Sequence, residues 1–142
     1  MSRYVLLSLI ALSGCVSSSI MAIPYSAQPQ RIANPREEVK SLILANTAGG
    51  CVATPEVKEK LLVVQAVCSG GVGNWVIRFD RVKSVALEQS GEWYRVVVKH
   101  SEGITDFAWT SKSLEDMQRM ADAITALANL PASPQAKDTP SI

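Results

Sequence analysis

The sequence predicts an α+β fold: an antiparallel meander of about six strands, with one helix before it and an amphipathic helix after it. Three observations carry that expectation. Between residues 51 and 109, apolar and polar residues alternate in short runs separated by Gly, Ser and charged breakers, which is the period of half-buried strands. From residue 114 to 130 the apolar period lengthens to that of a helix. Ahead of the strands, Asn34-Pro35-Arg36-Glu37 has the form of a helix start.

That first helix follows from residue chemistry. Asn34 can accept from the exposed N–H groups of the first turn, Pro35 suits the first helical position, and Glu37 sits three residues after the cap. Val39, Leu42 and Ile43 then share a face, and the helix is expected to run to about Asn46, before Gly49-Gly50. Cys51 to Val57 and Leu61 to Cys68 flank Lys58-Glu59-Lys60 as a hairpin would. Ser69 to Gly73 reads as a flexible breaker. Trp75, Ile77 and Phe79 alternate with Val76, Arg78 and Asp80, and Val85 with Leu87 continues an apolar face after a bend near Asp80. Tyr94, Val96 and Val98 alternate with Trp93, Arg95, Val97 and Lys99. Ile104 to Trp109 is expected as a short strand after the turn at Ser101-Glu102-Gly103. Ser111 or Ser113 can cap the last helix, where Leu114, Met117, Ala121, Ile124 and Ala128 form a stripe widened by Met120, Leu127 and Leu130.

From Asn74 to Leu130, Trp75 to Phe79 leads into Val82 to Val85, then Trp93 to Lys99, then the helix after Trp109. This order resembles a pleckstrin-homology-like half-barrel. The resemblance implies a curved meander closed by its C-terminal helix. The leading helix departs from that plan, and a sheet with a packed helix is the alternative.

The 142 residues suffice for one domain with a core. Of 14 basic side chains, Arg3 alone lies in the first fourteen residues, so 13 remain beyond them against 13 acidic ones. No charge footprint for nucleic acid is left.

The start of the chain has Arg3, an apolar run from Val5 to Leu12 and then small residues, the plan of an export signal. Leu12-Ser13-Gly14-Cys15 resembles the lipobox of bacterial lipoproteins. The resemblance implies a diacylglyceryl group on the Cys15 thiol, removal of residues 1–14 and acylation of the new amino terminus. Competing readings are a transmembrane helix, for which the apolar run is far short of the roughly 20 residues required, secretory cleavage after Ala22, and a buried helix. Residues 15–33, rich in Ser and broken by Pro24 and Pro29, are expected as a lipidated tether whose coil reaches roughly 20 to 25 Å. Residues 34–130 form the expected domain and 131–142 an expected disordered tail. Localisation in a bacterial envelope follows, facing the periplasm or exterior. Val16 stands where an Asp typically retains lipoproteins at the inner membrane, which favours the outer membrane where the source has one.

With Cys15 lipidated, Cys51 and Cys68 fall opposite one another if the hairpin turns near Glu59 and Lys60. A disulfide is expected, and two buried free thiols are the alternative. His100, the sole histidine, neighbours Ser101 and precedes Asp106, but adjacent strand residues face opposite sides, so no nucleophile and base pair forms. A solvated strand-end histidine is the expectation. No metal or other cofactor is expected. Trp93 faces away from Tyr94, Val96 and Val98, which makes it the candidate contact residue, with packing as the alternative for all three tryptophans.

The expected function is a non-enzymatic, membrane-anchored binding module. It would engage another envelope protein through an exposed strand edge or a groove between sheet and helix. The alternatives are a small-ligand carrier or enzyme with a pocket in the half-barrel, and a structural protein of envelope integrity.

Overall fold

The computed structural model describes residues 19–130. The lipobox residues Leu12, Ser13, Gly14 and Cys15, the beginning of the expected tether and the tail 131–142 lie outside the described residues.

The described chain is α+β, with two antiparallel sheets and two helices. In order, it forms β1 (Met21–Ile23), a 3-10 turn (Pro29–Arg31), α1 (Pro35–Ala45), β2 (Cys51–Val57), β3 (Leu61–Cys68) and β4 (Gly71–Arg78). A second 3-10 turn (Phe79–Arg81) leads to β5 (Val82–Ser90), β6 (Trp93–His100), β7 (Phe107–Ser111) and α2 (Leu114–Ala128). Strands β2-β3-β4 make one sheet, and β1-β5-β6-β7 the other.

The helices begin and end as their capping residues dictate. The Asn34 side chain accepts from the Glu37 N–H, Pro35 opens α1, and Asn46 and Thr47 side chains bond back to the Leu42 and Ile43 carbonyls. The Ser113 side chain accepts from the Asp116 N–H, with Glu115 and Asp116 at the positive end of α2. Asn129 ends α2 in the left-handed conformation, φ 52°, and the following Leu130 N–H bonds to the Thr125 carbonyl.

Two corrections concern architecture. The expected single meander is divided at Phe79–Arg81, where the Phe79 side chain is buried in the core and the Ser101 N–H bonds to the Arg81 carbonyl. Strand β5 therefore pairs with β6 from Val82 onward, while β4 ends its pairing with β3 at Arg78. Nor do the helices simply bracket the strands: β1 precedes α1, and α1 packs on α2, with the Arg119 guanidinium bonded to Glu38 at 2.6 Å.

A third correction concerns the tether. Residues 21–32 lie on the domain: β1 pairs with β5 through Met21↔Gln89, Ala22↔Glu88 and Ile23↔Leu87. Beyond it, the Tyr25 hydroxyl and the Gln28 N–H each donate to Asp122 Oδ1 at 2.7 Å. Asp122 is fully buried on α2. Burial first, and then the hydrogen bond to Asp122, push the Tyr25 phenol well above its ordinary pKa of 10.0.

One core joins all these layers. Val39 and Ile43 of α1, Leu62 and Val64 of β3, Ile77 of β4, Leu87, Val96, Val98 and Phe107 of the larger sheet, and Met117, Met120 and Ile124 of α2 are buried together. Each such side chain contributes about 1.5 to 3 kcal/mol when removed from water. Met117 and Met120 fill core space, and the stripe read along α2 is the face they share with Ile124.

Candidate functional site

A groove of about 660 Å³ runs along the outer edge of β7, bounded by both sheets and by the segment that follows α1. Its walls are largely apolar: Trp109 and Ala108 of β7, Trp75 of β4, Ala66 of β3, and the bridged pair Cys51 and Cys68. Asn46, Thr47, Thr110, Ser111 and Lys112 supply a polar rim, and Trp93 stands at one end.

Each wall has a local cause. The hairpin of β2 and β3 is in full register, Cys51↔Cys68 to Val57↔Leu62, so the two cysteines are direct cross-strand neighbours. They form a disulfide, with Cα atoms 4.1 Å apart. At the other end of this hairpin the Lys58 N–H bonds to the Leu61 carbonyl, and the Arg36 guanidinium donates to the Lys58 and Glu59 carbonyls at 2.7 and 3.2 Å. Helix α1 thereby holds the hairpin turn.

The glycines read as a loose breaker have a more specific role. Strand β4 begins at Gly71, pairing with Cys68, so only Ser69 and Gly70 form the turn. Gly73 lies within β4 under the Trp75 ring, where a Cβ would come within 2.4 Å of the indole. Its missing side chain lets Trp75 lie flat along its own strand and present an edge to Trp109, with centroids 5.7 Å apart and planes at 84°. Phe107 lies nearly parallel to Trp109, with centroids 6.2 Å apart. Trp109 is itself buried, and its Nε1 has no hydrogen-bond partner among the described residues.

The rim is fastened by polar contacts. The Ser111 hydroxyl donates to Asn46 Oδ1 and accepts from the Ser113 N–H, and Asn46 Nδ2 donates to Asp116 at 3.0 Å. The end of α1, the end of β7 and the start of α2 are thus one connected polar corner. No sequence signal marked Asn46 and Ser111 as partners, because 65 residues separate them.

Trp93 is 49% exposed, as its alternation predicted, and the Lys112 ammonium lies 5.2 Å from its ring centroid. Trp75 and Trp109 are packed together instead.

His100 is not solvated. It is buried, and its Nε2 accepts from the Arg78 N–H at 3.2 Å, because the strand end on which it sits is covered by the corner between β4 and β5. Its Nδ1 is buried with no partner among the described residues. Asp106 accepts from the His100 backbone N–H and from Lys99, and the Lys99 ammonium holds its carboxyl below the ordinary range. Ser101 donates to the Arg81 carbonyl. The three residues brace a turn and do not converge on one reacting atom.

Among the described residues, no group of three or more His, Cys, Asp or Glu side chains could hold a metal ion. Also among them, no helix is long and apolar enough to cross a membrane. No family model, no curated protein and no solved structure matches this chain.

Proposed function

We propose that the chain is a bacterial envelope lipoprotein, acylated on Cys15, whose domain is a non-enzymatic binding module that receives an extended segment of another envelope protein along β7. The observation that carries the binding reading is the tryptophan-lined groove beside β7, an edge strand with no strand hydrogen-bonded to its outer side among the described residues, although β4 packs near it through Trp75. A strand edge offers backbone donors and acceptors, and side-chain pockets beside it give selectivity; together these constitute strand addition.

The anchor rests on Leu12-Ser13-Gly14-Cys15 and on the charged and apolar segments before it. The disulfide accords with an exported domain, since such bonds persist in oxidising compartments. The outer membrane is the favoured address where the source has one, given Val16 after the cysteine. The likeness to a pleckstrin-homology-like half-barrel belongs to this proposal too, restricted to the order of elements from β4 to α2.

A second reading is carriage of a small apolar ligand, favoured by the volume of the groove, which lies in the range of small-molecule sites. Native mass spectrometry separates the two readings: a carrier retains a low-mass ligand, whereas the binding module shows only its own mass. Denaturing intact mass analysis of the chain taken from its native membrane tests the anchor. The expected species begins at Cys15, carries acyl mass and gains two hydrogens on reduction. A species beginning at Met1 or Ile23 without lipid would overturn it.

A further inference from the structure

We infer that the face of the domain bearing Ile20 and Trp93 rests on the lipid bilayer surface, with Trp93 in its interfacial layer. The inference rests on the acylation of Cys15 proposed above and adds a fixed orientation to it.

Chain length limits how far the domain stands from its anchor. An 18-residue coil would let the domain pivot well away from its anchor, but the paired strand begins at Met21. Five residues take the chain from Cys15 to Ile20, a reach of at most about 18 Å when fully extended. A lipidated Cys15 sits at the membrane surface, so whatever surrounds Ile20 is held against that surface.

Beside Ile20 stands a second exposed apolar side chain, Trp93, with Glu88, Gln89, Ser90, Arg95 and Thr110 around the pair. Ile20 is 57% exposed, Met21 63% and Trp93 49%. Ile20 and Trp93 are neighbours by register on one face: Met21 pairs with Gln89, so the next position along places Ile20 beside Ser90, which pairs with Trp93, while Met21 itself points to the opposite face of the sheet. Ile20 and Trp93 line one shared depression of about 260 Å³ on the outer face of the larger sheet. An amphipathic indole with its polar edge wet suits the headgroup layer.

Nearby charges are matched. Arg95 pairs with Glu88, and Lys112 lies 3.8 Å from Glu92, so neither strong attraction to anionic lipid nor repulsion from it is built in. Contact is therefore apolar and insensitive to salt. Trp93 also stands at the end of the β7 groove, which places that groove's mouth beside the bilayer.

The test uses the full-length lipidated protein in phosphatidylcholine vesicles, with a nitroxide quencher placed on the lipid near the headgroup. Flotation reports the anchor, and tryptophan fluorescence reports the orientation. Co-flotation with quenching that is lost in Trp93→Phe, and unchanged between low and high salt, is the expected result. The exposed position of Trp93 makes that variant safe for folding, and Ile20→Ser, also at an exposed position, provides a second one, expected to weaken the quenching. Co-flotation without quenching, or quenching unaltered in Trp93→Phe, overturns the orientation alone. Failure to float overturns the anchor and the orientation together.

Discussion

The two edges of the larger sheet are finished differently. One edge is the three-residue β1, which pairs with Leu87 to Gln89 of β5, and the strap that follows it is fastened by Tyr25 and Gln28 to a buried carboxylate on α2. At β7 the edge is left open beside a groove walled by tryptophans. An uncovered strand edge invites association, and proteins ordinarily blunt it by covering it, shortening it or placing proline on it. This chain lays β1 over the end of β5 and carries Pro55 within the edge strand β2, whereas β7 is blunted only by its length of 5 residues. The contrast sets the groove-bearing edge at β7 apart from the strapped edge at β1.

The largest expected effect comes from unfastening the strapped edge. Asp122→Ala leaves the Tyr25 hydroxyl and the Gln28 N–H without their acceptor, and at about 2 kcal/mol for each stranded donor the loss is about 4 kcal/mol. Urea unfolding measures it. A loss below about 1 kcal/mol would mean that the strap is not held as described.

Breaking the disulfide comes next and acts on the open side. Replacing both Cys51 and Cys68 by Ser releases a hairpin closed across a sequence separation of 17, for a loss of about 3 kcal/mol in the chain-entropy model. Thermal melts of the double variant should match those of the reduced wild type.

Gly73→Ala should cost about 1 to 2 kcal/mol, because the new methyl displaces the Trp75 ring from its place against Trp109. Near-ultraviolet circular dichroism should record loss of the indole pair, while the far-ultraviolet spectrum is retained.

The smallest effect is Tyr25→Phe, about 1 kcal/mol, which also removes a pH dependence. The phenol's folded pKa lies above its unfolded value of 10.0, so its contribution is complete below that pH and declines as pH rises beyond it. Wild-type stability should therefore fall above pH 10 more steeply than that of Tyr25→Phe, as read from chemical unfolding across that range.

The sequence was most legible where local chemistry decides the outcome. Asn34 and Ser113 act as caps, and the symmetry of Cys51 and Cys68 about the Lys58 to Lys60 turn sets a register that the structure reproduces. Illegible features depend on distant partners. A three-residue strand such as β1 has no period to detect, and its place is set by Leu87 to Gln89 and by Asp122, some ninety residues away in the case of Gln28. The division into two sheets arises from a single buried 3-10 turn at Phe79. His100 gave no sign of burial, because what covers it is the corner at Arg78. Of the groove, Trp93 could be read from alternation alone. The pairing of Trp75 with Trp109 needed the two sheets to meet, and Gly73 looked like a breaker until the ring above it was located.

Site-specific photocrosslinking in the native envelope tests the central claim most directly, comparing a photoreactive residue at Thr110 on β7 with one at Ala22 on β1. Both positions are exposed, so neither substitution disturbs the core. The account predicts a discrete adduct with an envelope protein from Thr110, none from Ala22, and loss of the Thr110 adduct when Lys112→Glu alters the rim. Adducts of equal yield from both edges, from Ala22 alone, or from neither would contradict it.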